Sequence, residues 1–282
     1  MTLRRLQLAT TWGQLTVRGG SRAGEGTLIL LPQLRLALDA GRMHRSLPSM
    51  STVLLSHGHA DHAGGLCYWA SQRVLNNLGP GRVLAPSEIS DQVTALLEAC
   101  AVLEGGDRYP VTLVPVDDGS QVALSRAMRL ELFGTDHWVA TLGCRLVWTR
   151  RRLKEHLTSE EPEALAQRRA LGEEITRPVQ TPLLSYSADS GPGIFERAEH
   201  ISAEVMLVEC SFWNDRDIDR ARRFGHMHLA DLVEHAPSLE CRHLVLLHAS
   251  RRNGLREVER AIEAELAPHV EAEVHHLIVD WE

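Results

Sequence analysis

The chain has 282 residues, 44% of them apolar, with Lys+Arg 30 against Asp+Glu 37 and a formal net charge of -7. That length and apolar content bury a sizeable core, and the acidic balance excludes a global basic field for nucleic acid while leaving room for a local basic patch. Cys67, Cys100, Cys144, Cys210 and Cys241 form no C-x-x-C pair and are odd in number, which reads as mostly buried thiols in a reducing compartment. Residues Met1 to Gln7 carry no apolar leader, and no apolar run approaches the ~20 residues of a membrane helix. The expectation is a cytoplasmic protein that does not enter membranes.

In chain order, the first quarter consists of short β-compatible runs joined by glycine-rich turns. Thr27 to Leu31 and Leu34 to Leu38 flank Pro32, and Asp39-Ala40-Gly41 closes the second. Thr52 to Ser56 is a compact apolar run with the length of a buried strand, and a histidine cluster follows it at once. Gly64-Gly65 permits a tight turn before a helix from Leu66 to Leu75. A second β-rich stretch extends from Val111 to Trp148, clearest at Met128 to Phe133 and Leu142 to Trp148. From Arg150 to Pro182 the composition turns charged. Arg150-Arg151-Arg152 and Lys154 open this stretch, Glu160-Glu161 and Glu173-Glu174 continue it, and Pro178 and Pro182 end it, as in a solvated helical arm. Strands follow at Val205 to Glu209 and His243 to Leu247. Leu229, Leu232, Val233 and Ala236 fall at helical spacing, as do Leu255, Val258, Ile262 and Leu266. No internal repeat or low-complexity tract is evident. Strand blocks in both halves, with helices mostly late in each, predict an α/β fold of two sheets packed face to face with helices outside. We expect a single domain over residues 1–282.

His57, His59, Asp61 and His62 put four ligand-type side chains within six residues. Imidazole nitrogen and carboxylate oxygen both suit zinc or manganese. Alternation at a strand end sends His57 and His59 the same way, and the following turn brings Asp61 and His62 towards a second metal ~3.5–4 Å away, the spacing of two-metal hydrolases. A solvated polar loop is a poor explanation for a cluster set between a buried strand and Gly64-Gly65. Distant candidates lie at other strand ends: His137 after Met128 to Phe133, Asp189 in Ser187-Ala188-Asp189-Ser190, and His248 after Leu244 to Leu247. Each alone reads as a hydrogen-bonded loop residue; the ordered set is far more specific.

These residues, in this order, resemble the metallo-β-lactamase superfamily. The resemblance is nearer to tRNase Z, in its short plant-type form, and covers most of the chain. It includes Ser56-His57-Gly58-His59, Asp61-His62-Ala63-Gly64-Gly65, Arg152-Leu153-Lys154-Glu155, Val208-Glu209-Cys210-Ser211-Phe212, Gly225-His226-Met227-His228-Leu229 and Leu247-His248-Ala249-Ser250-Arg251-Arg252. It implies an αββα sandwich, which is the metallo-β-lactamase fold of two mixed sheets. It also implies a dinuclear centre of two divalent metal ions, zinc first, with manganese or iron as alternatives. His57, His59 and His137 would hold one ion, Asp61, His62 and His248 the other, and Asp189 would bridge both. A shared water with its pKa depressed towards neutrality would be the nucleophile, with Asp61 able to accept its proton. His226 would protonate the leaving oxygen and Glu209 would orient it, since a carboxylate fixes the tautomer and raises the imidazole pKa. Ser250 and Arg252 match positions near the substrate, and the arm at 150–182 falls where the family places an RNA-gripping exosite.

The implied reaction is removal of the 3′ trailer from precursor tRNA by a homodimer. Alternatives that keep the centre are a phosphodiesterase of small substrates such as cyclic nucleotides and a hydrolase of esters, lactones or thioesters. A degenerate metal-binding paralogue is a non-enzymatic reading. Four departures from the family pattern concern the substrate rather than the metal. Ala188-Asp189-Ser190 stands for Gly-Asp-Thr, and Ala249 to Asn253 replaces a run from Phe to Tyr. The arm lacks the Gly-Pro segment of the bacterial exosite, and the bacterial proline- and lysine-containing loop is not evident.

Overall fold

A computed structural model describes residues 3–197 and 201–281. Period-two alternation sets its layers. In β3 (Gly26–Leu31), Ile29 and Leu31 face one core while Leu28 and Leu30 face another, and in β5 (Thr52–Leu54) Leu54 points opposite to Val53. The same switch occurs in β12 (Val205–Glu209) and β13 (His243–Leu247), where Leu207 and Val245 turn inward and Val208 and Leu246 outward. Strands buried on both faces need cover on both sides, and that requirement produces four layers.

Among the described residues there are two seven-stranded sheets. The first holds β1 (Arg4–Thr10), β2 (Gly13–Arg22), β3, β4 (Leu36–Leu38), β5, β6 (Gly81–Pro86) and β7 (Val111–Val116), in chain order. The second holds β8 (Gln121–Ala123), β9 (Met128–Gly134), β10 (Leu142–Leu153), β11 (Thr176–Tyr186), β12, β13 and β14 (Glu273–His276). β1 to β4 pair antiparallel and β4 to β7 parallel. β8 to β11 and β11 to β14 repeat this scheme. The topology therefore repeats where the residues show no repeat.

Helices α1 (Ala60–Ala63), α2 (Leu66–Leu75) and α3 (Ser90–Leu103) lie in the first half, and Leu66, Trp69, Val93 and Leu97 pack on the outer face of the first sheet. In the second half come α4 (Pro162–Ala170), α5 (Ile218–Phe224), α6 (Leu229–His235) and α7 (Leu255–Ala261), with Leu229, Leu232 and Val258 against the outer face of the second sheet. Helix α7 continues as a π-helical turn over Ile262–Leu266. The expected sandwich of two mixed sheets with helices outside is thus observed.

Two local expectations change. The run Leu34 to Leu38 is not one strand, because Arg35 takes a left-handed φ of 50° after the short turn Pro32–Leu34. The charged stretch opens not as a separate helical arm but as a ribbon, with Arg150 opposite Val179 and Leu153 opposite Thr176. Pro182 is accommodated opposite Val147 at the register shift that follows Leu146. Beyond the ribbon, Leu157 and Ile175 are buried, whereas α4 buries none of its own residues. Arg168 pairs with Glu160 at 2.7 Å and Glu173 at 2.9 Å, and Arg151 with Glu174.

Leu130 is fully buried between the sheets. Leu130→Ala should cost about 2–5 kcal/mol, the range for emptying a packed leucine site. Denaturant unfolding checks this, and a loss below about 1 kcal/mol would mean that the layers close over the gap.

Candidate metal and active centre

Parallel strands in each sheet end at the same side, and ligand-type residues follow those ends as in open α/β sheets. Asp39 follows β4, His57 follows β5, Asp189 follows β11, Ser211 follows β12 and His248 follows β13; His137 follows the antiparallel β9. The segment after β5 is locked by the chain beside it. Ala40 N–H donates to His62 O at 2.8 Å, and a Cβ added at Gly41 would fall 1.7 Å from Asp61 O. Only glycine lets these backbones touch.

The strand ends bring the sequence candidates together. Donor atoms of His57, His59, His137 and Asp189 lie within 4.8 Å of one another, and so do those of Asp61, His62 and His248. His57 Nε2 is 2.9 Å from His59 Nδ1 and 3.7 Å from Asp189 Oδ2. Asp189 Oδ1 is 3.3 Å from His62 Nε2 and 3.5 Å from His248 Nε2, which is itself 3.4 Å from Asp61 Oδ2. Asp189 therefore turns one oxygen to each group. Metal–ligand bonds of ~2.0–2.1 Å in tetrahedral array put ligand atoms ~3.3 Å apart, close to these separations.

The opposite nitrogen of four histidines is held, which aims the first nitrogen inward. His57 Nδ1 lies 3.0 Å from Ser56 Oγ, His62 Nδ1 2.8 Å from Asp39 Oδ2, His137 Nδ1 2.9 Å from Gly225 O and His248 Nδ1 3.0 Å from Ser211 Oγ. Gly225 ends α5 with a left-handed φ of 61°, and so frees that carbonyl for His137. His137 Nε2 is buried without a hydrogen-bond partner. A buried lone pair of this kind fits a cation and otherwise costs desolvation energy.

Electrostatics agree. Burial pushes His57 down to about 2, and burial also lowers His59 and His137. Burial opposes charge on Asp189 and Asp61, yet neighbouring histidines hold both carboxyls below their usual range. His62 is the exception: despite burial, Asp189 and Asp39 raise it well above its ordinary value. A cation would displace that proton, as metal binding to histidine requires.

His226 sits above the cluster, with ring centroids 5.0 Å from His137 and 5.5 Å from His248. Its Nδ1 is 2.7 Å from Glu209 Oε1, and Glu209 is almost fully buried. Burial works against the imidazolium, but the Glu209 charge and hydrogen bond raise His226 to about 9. Ser250 is tied to the centre by its N–H to Ser211 O at 2.9 Å, whereas Arg252 is exposed on the next turn and it is Arg251 that pairs with Glu25.

Three contributors were missed by sequence reasoning. Asp39, read only as a strand-closing turn residue, accepts from Ser56 N–H at 2.7 Å, Ser56 Oγ at 2.8 Å and Tyr186 Oη at 2.5 Å besides facing His62. Ser211 joins His248 to Glu209 Oε2, 2.8 Å away. Trp138, 64% exposed, stands 5.3 Å from the His59 ring at the rim. An acidic residue directly after a parallel strand was the available signal for Asp39.

Residues 23–249 match the family model of the β-lactamase superfamily domain. The chain belongs to that superfamily. It is 29% identical over 265 residues to tRNase Z TRZ1 of Arabidopsis thaliana, covering 93% of this chain and 94% of the relative. The fold is similar to that of the metallo-β-lactamase fold protein YhfI from Bacillus subtilis, with TM-score 0.62, 15% identity and coverage of 93% and 95%. It is also similar to zinc-bound PqqB from Methylobacterium extorquens, with TM-score 0.59, 17% identity and coverage of 93% and 98%. Among the described residues of this superfamily member, no helix is long and apolar enough to cross a membrane.

Asp39→Ala should weaken divalent-metal binding about 10–100-fold, because His62 loses the partner that orients it. Chelator competition measures this. Unchanged affinity with an intact fold would remove Asp39 from the support of the centre.

Proposed function

We propose that this chain is a metal-dependent phosphodiesterase that processes the 3′ end of precursor tRNA. The observation that carries the reading is the buried Glu209–His226 pair poised over the clustered donors, 2.7 Å apart. A carboxylate-held imidazolium in this place can donate a proton to a departing alkoxide such as the 3′ oxygen. The similarity to tRNase Z TRZ1 along nearly the whole chain supports tRNA as the substrate. The exposed Trp138 ring beside His59 supports a nucleotide at the rim, since bases stack on aromatic faces for about 1–3 kcal/mol each.

In this reading His57, His59 and His137 would hold one divalent cation and Asp61, His62 and His248 a second, with Asp189 placed between the two groups to serve both. Imidazole and carboxylate donors suit zinc, with manganese and iron as alternatives. Bound there, the cations supply positive charge for the phosphoryl oxygens and acidify the attacking water. The chain's own residues do the rest. Asp61 is kept ionised at the edge of the site, its Oδ2 fixed by Gly24 N–H at 2.7 Å, and takes up a proton from water. Glu209 keeps His226 protonated, and His226 passes that proton to the departing 3′ oxygen. Ser250 lines the cleft and Arg252 reaches a flanking phosphate from its exposed turn. The ribbon and α4 grip the tRNA body away from the chemistry, through Arg150, Arg152 and Lys154. A homodimer in the cytoplasm completes the proposal; five free cysteines are consistent with a reducing compartment.

Incubating the metal-loaded protein with a 3′-extended precursor tRNA, beside bis(p-nitrophenyl) phosphate, tests the reading. One cut just after the discriminator base supports it, and cleavage of the small diester alone would overturn the tRNA assignment. His226→Ala should keep its metal yet lose about 10²–10⁴-fold in turnover, the usual contribution of a positioned acid. Unaltered turnover would take His226 out of the mechanism. Removing residues 155–175 should spare the small diester while weakening tRNA binding, and equal loss of both would make the arm structural.

A further inference from the structure

A second convergence of donor atoms lies at the other end of β13. His243 opens that strand and His248 follows its last residue, so the two are five residues, or about 16 Å of extended chain, apart. On the adjacent β14, Glu273 pairs with His243 in register, and His275 is two residues further along the same face. His243 Nδ1 is 3.3 Å from Glu273 Oε2 and 3.3 Å from His275 Nε2, and the last two atoms are 3.6 Å apart. All three edges lie near the ~3.3 Å that tetrahedral zinc imposes on its ligand atoms.

Proton counting points the same way. His243 Nε2 is 3.1 Å from Ala9 O, a carbonyl that can only accept. In the neutral ring this assigns the proton to Nε2 and leaves Nδ1 a bare lone pair turned towards Glu273 and His275. Holding the remote nitrogen on a backbone carbonyl is also how proteins orient a metal-ligating histidine. His243 is nearly buried, His275 partly exposed and Glu273 74% exposed, so the triangle opens to water on one side. Water can therefore complete a four-coordinate sphere.

We infer that His243, Glu273 and His275 form a peripheral divalent-cation site, with zinc as the best fit, separate from the active centre. Bound zinc would staple the short edge strand β14 to β13. Through His243 and the Ala9 carbonyl, it would also tie that edge of the second sheet to β1 of the first. The role is structural: it neither needs nor affects the chemistry at Asp189.

The test is zinc content after equilibrium dialysis, on the full chain and on Glu273→Gln and His275→Ala. Both substitutions lie at accessible side chains. The unaltered chain should retain about one more equivalent than either variant, with cleavage rates unchanged, because a site with three protein ligands loses its metal when one is removed. A zinc-edge anomalous difference map of zinc-soaked crystals should show a peak between the three side chains in the unaltered chain. Equal zinc content in all three proteins, or a map without that peak, would mean that protons alone hold the triangle together and would overturn the site.

Discussion

Asp189 is the point at which the two sheets of this molecule meet electrically. Its carboxylate is buried, with Oδ1 3.3 Å from His62 and Oδ2 3.7 Å from His57, and both of those histidines come from the first sheet. The residue itself comes from the second. A buried carboxylate surrounded by lone pairs needs positive charge nearby, and either protons or cations must supply it. The positions of the other strand ends follow from that demand. The backbone bends to meet it: Asp39, Ala188 and His248 all adopt left-handed φ, at 59°, 52° and 64°. Such angles cost of order 1 kcal/mol or more in residues with a side chain, and they persist where surrounding contacts fix them.

The Ala188 angle also explains a departure noted in the sequence. The resemblance drawn from the sequence implies glycine before this aspartate, and a left-handed φ suits glycine at that position. Alanine here keeps the geometry and accepts the strain. The departure leaves the position of Asp189 intact.

Much of the candidate centre was legible because its ligand-type residues are dense and ordered. His57, His59, Asp61 and His62 follow a buried strand, and His137, Asp189 and His248 each follow another. The layers were legible from alternation in runs such as Thr27 to Leu31 and His243 to Leu247. Residues that act through a single distant contact were not legible. Asp39 reads as part of a turn, and its link to His62 spans 23 positions. Ser211 is one serine among many until folding sets it between His248 and Glu209. The arm misled for another reason: Pro178 and Pro182 read as terminators, yet a long ribbon with a register shift accommodates both. Helix α3 escaped because its apolar positions are interleaved with exposed Leu96, Val102 and Leu103, which blur the helical period.

The repeated topology has a consequence for how the molecule comes apart. The first sheet ends at Val116 and the second begins at Gln121, so one short connection divides the chain into halves. His57, His59, Asp61 and His62 belong to one half; His137, Asp189 and His248 belong to the other. Any cation shared by these residues is a rivet through the interface, and its binding energy is also adhesion between the layers. Chelation then does more than silence chemistry. It slackens the seam of the sandwich, and thermal or proteolytic opening should start where the rivet was drawn.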